Sequence, residues 1–204
     1  MFSPFEQDLG SKDLPEVFRQ QYLYSVDEPY TVIFEGDADR VWHKLQWLTP
    51  FFWILTWFQI FFPETGEKIP TQLHIIGGRD SLNKPFHKWN RTFRFKRDRY
   101  FNAVMTYDDG MGAVIEKMGL FGIIQIFWKM EFLAPNRLTI SSMKCCMDFG
   151  IIRMFLPIFL YPSVMVKETA VANNEIYLEL VASHPWLGDI FGYSGTFYSL
   201  RKEI

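Results

Sequence analysis

The chain has 204 residues, enough for one sizeable hydrophobic core, and we predict a single domain over residues 1–204. Its formal net charge of −2 and pI near 6.1 provide no overall attraction to phosphate, so we expect no nucleic acid among its partners. Aromatic residues make up 18% of the chain, with 21 Phe, 9 Tyr and 7 Trp. This excess predicts an aromatic surface that contacts lipid, a ligand or another protein.

The cysteines and the first residues bear on the compartment. Cys145 and Cys146 are adjacent and point to opposite faces of a strand, so we expect no disulfide between them and a reducing compartment. The first eighteen residues lack both a basic region and an unbroken apolar run, which argues against a signal peptide. We therefore expect a cytoplasmic protein, and peripheral contact with the inner face of the membrane is the alternative.

The first predicted elements are a short helix and a strand. The helix starts near Leu14 and Pro15, since proline is tolerated in a first helical turn. The strand covers residues 30–36, where β-branched and aromatic residues precede a Gly-Asp turn.

The most apolar segment, residues 49–63, predicts a second helix. Pro50 suits the first helical position and Pro63 must end the run, which leaves about thirteen residues, 50–62, and a length of roughly 20 Å. A membrane core is about 30 Å thick, so a transmembrane span is disfavoured. Only Thr56 and Gln59 interrupt the apolar surface between the prolines. Such a helix is either buried in the core or docked at a membrane interface, and the sequence leaves both alternatives open.

From residue 70 onward, strand patterns alternate with turn signals. Predicted strands cover residues 70–76, two strands within 87–107, and then 112–117, 123–133, 137–147, 164–171, 176–182 and 191–200. Eight to ten consecutive antiparallel strands predict a mainly β fold. We expect an antiparallel barrel or a strongly curved sheet with one or two short helices.

A second apolar segment, residues 149–166, predicts a loop between strands. Pro157 and Pro162 exclude one continuous helix there. Together with the helix at residues 50–62, this loop is expected to form an apolar rim at one end of the barrel, where small apolar ligands enter such folds. The side chains predicted for this rim or for a membrane contact are Phe51, Phe52, Trp53, Trp57, Phe58, Phe61, Phe62, Phe155 and Phe159.

The strand that begins at His87 carries the best indication of a site. One of its faces is apolar except for His87 and Arg91, and a cation among aromatic side chains needs a partner or a ligand because an unpaired buried charge is costly. Glu168 lies on the same strand face as Val164 and Val166 and is a candidate partner. Two alternatives follow: a buried Arg91–Glu168 ion pair, or an Arg91 that binds a ligand carboxylate or phosphate with His87 nearby.

Other polar residues extend the candidate site. The predicted ligand-binding set is His87, Trp89, Arg91, Glu116, Glu168 and His184. A histidine before a proline at a turn, as His184 is, most often hydrogen-bonds backbone. The spacing of histidines and cysteines gives no metal-ligand pattern, and the sequence has no Gly-rich phosphate loop and no serine nucleophile motif. We therefore expect no metal and no cofactor, and assign no catalytic residue.

The closing run Ser183-His184-Pro185-Trp186-Leu187-Gly188, followed by FGYSGTF over residues 191–197, resembles the end of the domain-of-unknown-function 4166 family. Further similar pieces are Leu9-Gly10 with Leu14-Pro15, Phe34-Glu35-Gly36, Trp89-x-Arg91-x-Phe93, residues 116–119, Leu156-Pro157 and Tyr161-Pro162. The chain departs from the family in its extra aromatic residues between Trp47 and Phe62. The resemblance implies a bacterial, free-standing domain without an assigned activity, in a family that also occurs joined to reductase-like or small membrane-protein regions.

These observations favour a binding protein over an enzyme. The leading hypothesis is a domain that binds a lipid-like or other apolar ligand at or near a membrane surface, with Arg91 and His87 facing an acidic head group. One alternative is an enzyme acting on an apolar substrate, in which His87 or His184 transfers a proton and Arg91 stabilises an oxyanion. Another is a partner-binding module whose apolar helix docks on a membrane protein.

Overall fold

The computed structural model describes residue 5, residues 14–23 and residues 30–202, with the side chains of residues 30, 201 and 202 outside the description. The Leu9-Gly10 pair also lies outside the described residues. Helix α1 spans Glu16–Tyr22 and helix α2 spans Thr49–Trp57. The strands are β1 (Tyr30–His43), β2 (Gly66–Arg79), β3 (Pro85–Arg94), β4 (Asp98–Asp108), β5 (Ala113–Met118), β6 (Ile124–Ala134), β7 (Arg137–Asp148), β8 (Arg153–Phe155), β9 (Ser163–Ala172), β10 (Glu175–His184) and β11 (Gly188–Lys202). Short 3-10 helices span Gln46–Leu48 and Ile158–Leu160.

Ten of these strands form a closed antiparallel barrel, which confirms the predicted fold class. Each barrel strand pairs with its neighbours in sequence, and β1 pairs with β11 to close the circle. Strand β8 stands outside this circle because it pairs with the last residues of β7, whereas the first residues of β7 pair with β9. Closure leaves the barrel without the unpaired edges that an open sheet would expose.

The period-two pattern of the sequence determines which side chains face the interior. Along β3, His87, Trp89, Arg91 and Phe93 are buried, whereas Lys88 and other residues between them are exposed or half-buried. Successive side chains of a strand point to opposite faces, so the apolar set fills the barrel. The predicted face of this strand is confirmed. The adjacent Cys145 and Cys146 likewise belong to an inner and an outer apolar cluster, and both are free thiols.

The seam between β1 and β11 depends on two glycines. A Cβ atom on Gly36 would collide with the carbonyl oxygen of Thr196, and one on Gly195 would collide with the carbonyl oxygen of Asp37. The register between the two strands shifts next to this point. The missing side chains therefore allow the first and last strands to approach closely, and both glycines lie in segments that resemble the family.

Helix α2 ends five residues earlier than the sequence predicts. Gln59 adopts a left-handed backbone with φ 58°, and the N–H groups of Gln59 and Ile60 bond to the carbonyls of Thr56 and Leu55, 3.0 and 3.1 Å away. This pattern is a Schellman motif, which terminates a helix. Asn102 stabilises Gln59 in this conformation, because the Asn102 side-chain amide donates to Gln59 Oε1 at 2.6 Å. The prediction of a helix up to residue 62 is wrong because tertiary hydrogen bonds end it.

The two helices cover opposite ends of the barrel. The connections β1–β2, β3–β4, β5–β6, β7–β9 and β10–β11 all leave at one end, and this end, which contains α2, is the α2 end. At the other end Phe18 of α1 packs against Phe132 of β6, with ring centroids 6.1 Å apart. Among the described residues, no helix is long and apolar enough to cross a membrane.

Candidate functional site

A cavity occupies the centre of the barrel. All ten barrel strands contribute side chains to its wall, and α1 and Phe5 close one side. Its volume is about 80 Å³, which is several times the roughly 10–15 Å³ that one water molecule needs. Pockets that enclose a drug-sized molecule measure roughly 300–1,000 Å³. The space therefore suits a small or slender apolar group.

Arg91 and Glu116 form an ion pair in the wall of this cavity. An Arg91 guanidinium nitrogen lies 3.4 Å from Glu116 Oε1, and the side chains are 11% and 4% exposed. The indole N–H of Trp128 donates to Glu116 Oε2 at 3.1 Å. The guanidinium carbon lies 5.0 Å and 4.8 Å from the ring centroids of Trp89 and Phe101, within cation–π range. Burial raises the pKa of Glu116, and the positive charge of Arg91 opposes that rise.

Glu168 has different partners from those the sequence suggests. The Tyr22 hydroxyl donates to Glu168 Oε2 at 2.7 Å, and the Gln21 amide donates to Glu168 Oε1 at 3.1 Å. Arg91 is therefore ion-paired with Glu116 rather than with Glu168, and Glu168 instead fastens α1 to β9. Burial raises the pKa of Glu168 to about 7, although the two hydrogen bonds and the charge of Arg91 pull it down.

Arg91, Glu116 and Glu168, with their partners Gln21, Tyr22, Trp89 and Trp128, form a polar cluster in the barrel. The cluster has one cationic and two carboxyl side chains, and two of its polar atoms have no hydrogen-bond partner among the described residues. Arg91 and Glu116 balance each other, so the cluster is neutral when Glu168 is protonated and carries one negative charge when Glu168 is ionised. Among the described residues, Trp89 Nε1 and Gln21 Oε1 have no hydrogen-bond partner although both atoms are buried. Both residues line the cavity. A donor and an acceptor without partners in the described part of the chain thus belong to two residues of the cavity wall.

The two predicted histidines do not line the cavity. His87 is fully buried on β3, and its ring centroid lies 5.6 Å from that of Phe5. His184 lies at the end of β10, where Nε2 is 2.9 Å from the Phe159 carbonyl oxygen and Nδ1 accepts from the Trp186 N–H at 3.3 Å. This is the backbone-bonding role expected of a histidine at a turn. The structure thus brings together Trp89, Arg91, Glu116 and Glu168 and leaves both histidines outside the cavity wall.

Three residues of the cluster escaped the sequence analysis. Gln21 and Tyr22 occupy the buried side of α1, each four positions after another buried residue, Val17 and Phe18, which is a helical spacing. Trp128 faces inward on β6, as do the residues two positions before and after it, Ile126 and Met130. These patterns indicate burial, but no local signal assigns their hydrogen-bond partners across the barrel.

The predicted apolar rim is partly exposed and partly buried. Phe52 and Phe62, predicted for the rim or a membrane contact, lie in the core: Phe52 packs on His43 and Phe61, and Phe62 packs on Phe93. Phe61 is half-buried and lines the cavity. The remaining predicted members, Phe51, Trp53, Trp57, Phe58, Phe155 and Phe159, are exposed.

Further exposed apolar side chains lie beside these residues on other loops. Phe58 contacts Phe121 of the β5–β6 loop, with ring centroids 6.2 Å apart, and Phe159 stacks on Trp186 of the β10–β11 turn at 5.6 Å. We define the apolar rim as the exposed apolar residues in the connections at the α2 end: Trp47, Phe51, Trp53, Ile54, Trp57, Phe58, Leu120, Phe121, Phe149, Ile151, Ile152, Met154, Phe155, Ile158, Phe159, Leu160, Trp186 and Leu187.

Chemically, the cluster can exchange a proton at Glu168 and hydrogen-bond a small polar group. Within residue 5, residues 14–23 and residues 30–202, no group of three or more His, Cys, Asp or Glu side chains is arranged to hold a metal ion. Burial raises the pKa of Cys145 to about 12, so this thiol stays protonated at neutral pH.

Fold and site together define a ten-stranded antiparallel β-barrel protein with an ion pair and a hydrogen-bonded carboxyl group inside an otherwise apolar core. The chain belongs to the family called domain of unknown function DUF4166, whose model matches residues 14–197. It is 32% identical over 151 residues to the Bacillus subtilis (strain 168) protein YndH, described as uncharacterized, and the match covers 72% of each chain. No solved structure matches the chain.

Proposed function

We propose that the barrel binds a small or slender apolar molecule, such as a lipid-like chain, in its central cavity. The observation that carries this proposal is a cavity with mostly apolar walls, two of whose lining residues, Trp89 and Gln21, bear a buried donor and a buried acceptor without partners among the described residues. Binding sites for small molecules combine apolar walls with a few placed polar groups. An apolar chain would gain free energy by leaving water, and its polar end would satisfy the two unused atoms.

The apolar rim supports loading of this ligand from a lipid bilayer. Phe52 on the inner side of α2 contacts Phe61, which lines the cavity, while Trp53 and Trp57 on the outer side are exposed. The helix therefore stands between the cavity and the surface. Exposed basic residues at the β3–β4 turn of the same end, Arg94, Lys96 and Arg97, suit a surface of anionic lipids.

Protein purified without detergent is expected to retain an apolar molecule or to take up a slender neutral fluorescent probe such as diphenylhexatriene. The variant Ala182→Leu tests whether the probe occupies the cavity, because it adds three carbon atoms to the cavity wall. We expect it to fold, because overpacking costs about 1–3 kcal/mol, and to bind the probe about tenfold more weakly. Native mass spectrometry and fluorescence titration measure the two results.

Ala172→Leu provides the control for this variant. Ala172 is exposed at the end of β9, so the same addition there leaves the cavity unchanged and should leave probe binding unchanged. A protein with no bound molecule and no probe uptake would contradict the proposal. So would a folded Ala182→Leu that binds the probe as tightly as the unaltered chain.

Trp57→Ser is expected to weaken binding to vesicles of phosphatidylcholine and phosphatidylglycerol about tenfold or more. Burying a large apolar side chain contributes roughly 1.5–3 kcal/mol, and 1.4 kcal/mol corresponds to a factor of ten. The control is Leu82→Ser, because Leu82 lies at the opposite end of the barrel and its exposure, 76%, nearly equals the 79% of Trp57. Co-sedimentation measures both. Equal losses in the two variants, or no vesicle binding at all, would refute loading from the bilayer and favour a protein partner for the rim.

A further inference from the structure

We propose that the polar end of the ligand is a neutral group that both donates and accepts a hydrogen bond, such as a hydroxyl, and that the site discriminates against a carboxylate. This inference rests on the proposed function and specifies the ligand class for the same cavity. It replaces the sequence-based expectation of an acidic head group at Arg91.

The charge of Arg91 is already balanced by Glu116, which weakens its attraction for an acid. Its guanidinium pairs with Glu116 at 3.4 Å and lies between the rings of Trp89 and Phe101. Glu116 in turn accepts the Trp128 N–H. An incoming carboxylate would have to take the guanidinium from Glu116 or share it, so that two buried carboxylates would depend on one cation, which is unfavourable.

The two unused atoms, which belong to residues of the cavity wall, have opposite hydrogen-bonding roles. Trp89 Nε1 can only donate, and Gln21 Oε1 can only accept. The residues that bear them are 5% and 2% exposed, so water from outside does not reach them freely. Tyr22 connects the two, because its ring centroid lies 5.7 Å from that of Trp89 and its oxygen accepts from Gln21 Nε2 at 2.9 Å. A hydroxyl accepts one hydrogen bond and donates another, whereas a carboxylate cannot serve the acceptor.

The charge around Glu168 adds a pH-dependent discrimination. Arg91 of β3, Glu116 of β5, Tyr22 of α1 and Tyr193 of β11 are the titratable groups that line the cavity with it. His87 of β3 lies outside the cavity wall. Because the pKa of Glu168 is near 7, ionisation above neutral pH adds a second carboxylate charge that repels an anionic ligand and does not repel an alcohol.

The test compares four ten-carbon compounds as competitors of diphenylhexatriene on the intact protein at about pH 8: decane, 1-decanol, decanoate and decylammonium. We expect decanol to bind at least tenfold more tightly than decanoate, a difference that narrows as the pH falls to about 6. Equal or tighter binding of decanoate at the higher pH would overturn the inference and leave the proposed function intact. Tighter binding of decylammonium than of decanol would also overturn it. Failure of all four to displace the probe would overturn the proposed function itself.

A variant locates the effect at the unused donor. Trp89→Phe should weaken decanol binding about tenfold and leave decane binding unchanged, since only the alcohol uses the indole N–H. Trp186→Phe is the matched control, because Trp186 is exposed in the β10–β11 turn. An unchanged decanol affinity in folded Trp89→Phe would contradict the assignment. The comparison of compounds on the unaltered chain remains decisive if this variant does not fold.

Discussion

Replacing Glu116 with leucine is expected to lower the free energy of unfolding by about 3 to 5 kcal/mol, the cost of breaking a buried ion pair from one side. The substitution leaves the guanidinium of Arg91 buried between Trp89 and Phe101 without its counter-charge. Arginine cannot lose its proton inside a protein, so the charge persists at every accessible pH. Urea denaturation at about pH 7 measures the loss.

Replacing the other member of the pair, as in Arg91→Met, is expected to lower the free energy of unfolding by less than Glu116→Leu does. It strands a carboxyl group, and a buried carboxyl can become neutral by taking up a proton. The pKa of Glu116 is already raised by burial, and removing the cation that lowers it raises this pKa further. The loss of stability should therefore be small in mildly acidic buffer and grow as the pH rises.

The double variant completes a double-mutant cycle for the Arg91–Glu116 ion pair. With both charges gone, Arg91→Met/Glu116→Leu should recover much of the loss seen in Glu116→Leu, although Trp128 still lacks its acceptor, at a cost of about 1–3 kcal/mol. Glu131→Leu is the control, since Glu131 forms its ion pair with Lys129 where both side chains are about half exposed. Such exposed pairs contribute about 0–1 kcal/mol. A double variant no more stable than Glu116→Leu would show that the charges are not what matters at this position.

The sequence predicts the barrel well because its fold depends on local signals. Alternation at a period of two and turns between apolar runs are properties of short segments, and they locate all ten barrel strands. The end of helix α2, in contrast, does not depend on a local signal. Its apolar run continues to residue 62, but the turn at Gln59 is fixed by Asn102, which is distant in sequence. A pattern within one segment cannot reveal that contact.

The sequence predicts some of the residues of the site and does not predict how they pair. Alternation places Arg91 and Glu168 on inward faces, as the structure has them, whereas Glu116 is a candidate without a strand pattern to place it. The partner of Arg91 depends on the strand register and on the tilt of the strands around the barrel, which the sequence alone does not specify. Tyr22 adds a second reason, because it arrives from a helix outside the sheet and supplies Glu168 with a hydroxyl donor. Glu116 is therefore the carboxylate that forms the ion pair with Arg91.

Stability is expected to fall as the pH rises from about 4.5 to about 7, because Glu168 titrates in that range. Its pKa is raised from 4.5 to about 7 on folding, so the folded protein binds the proton more tightly than the unfolded chain does. The stabilising contribution is fully present below the unfolded value and is lost as the pH rises through the folded value. A difference of this size corresponds to about 3 kcal/mol. Glu116, whose pKa is also raised, adds a change of the same sign.

Glu168→Gln isolates this contribution and should make the protein more stable than the unaltered chain at about pH 8. The glutamine amide resembles a protonated carboxyl group: its oxygen can accept from Gln21, and its N–H can donate to the Tyr22 oxygen after the hydroxyl rotates. The difference in unfolding free energy between the two proteins should therefore change by about 2 to 3 kcal/mol between about pH 5 and pH 8, in favour of the variant at the higher pH. Urea denaturation across this range measures it, with the exposed Glu131→Gln as the control that shifts little. A difference that is independent of pH would mean that Glu168 does not titrate in this range, and the pH-dependent part of the ligand discrimination would fail with it.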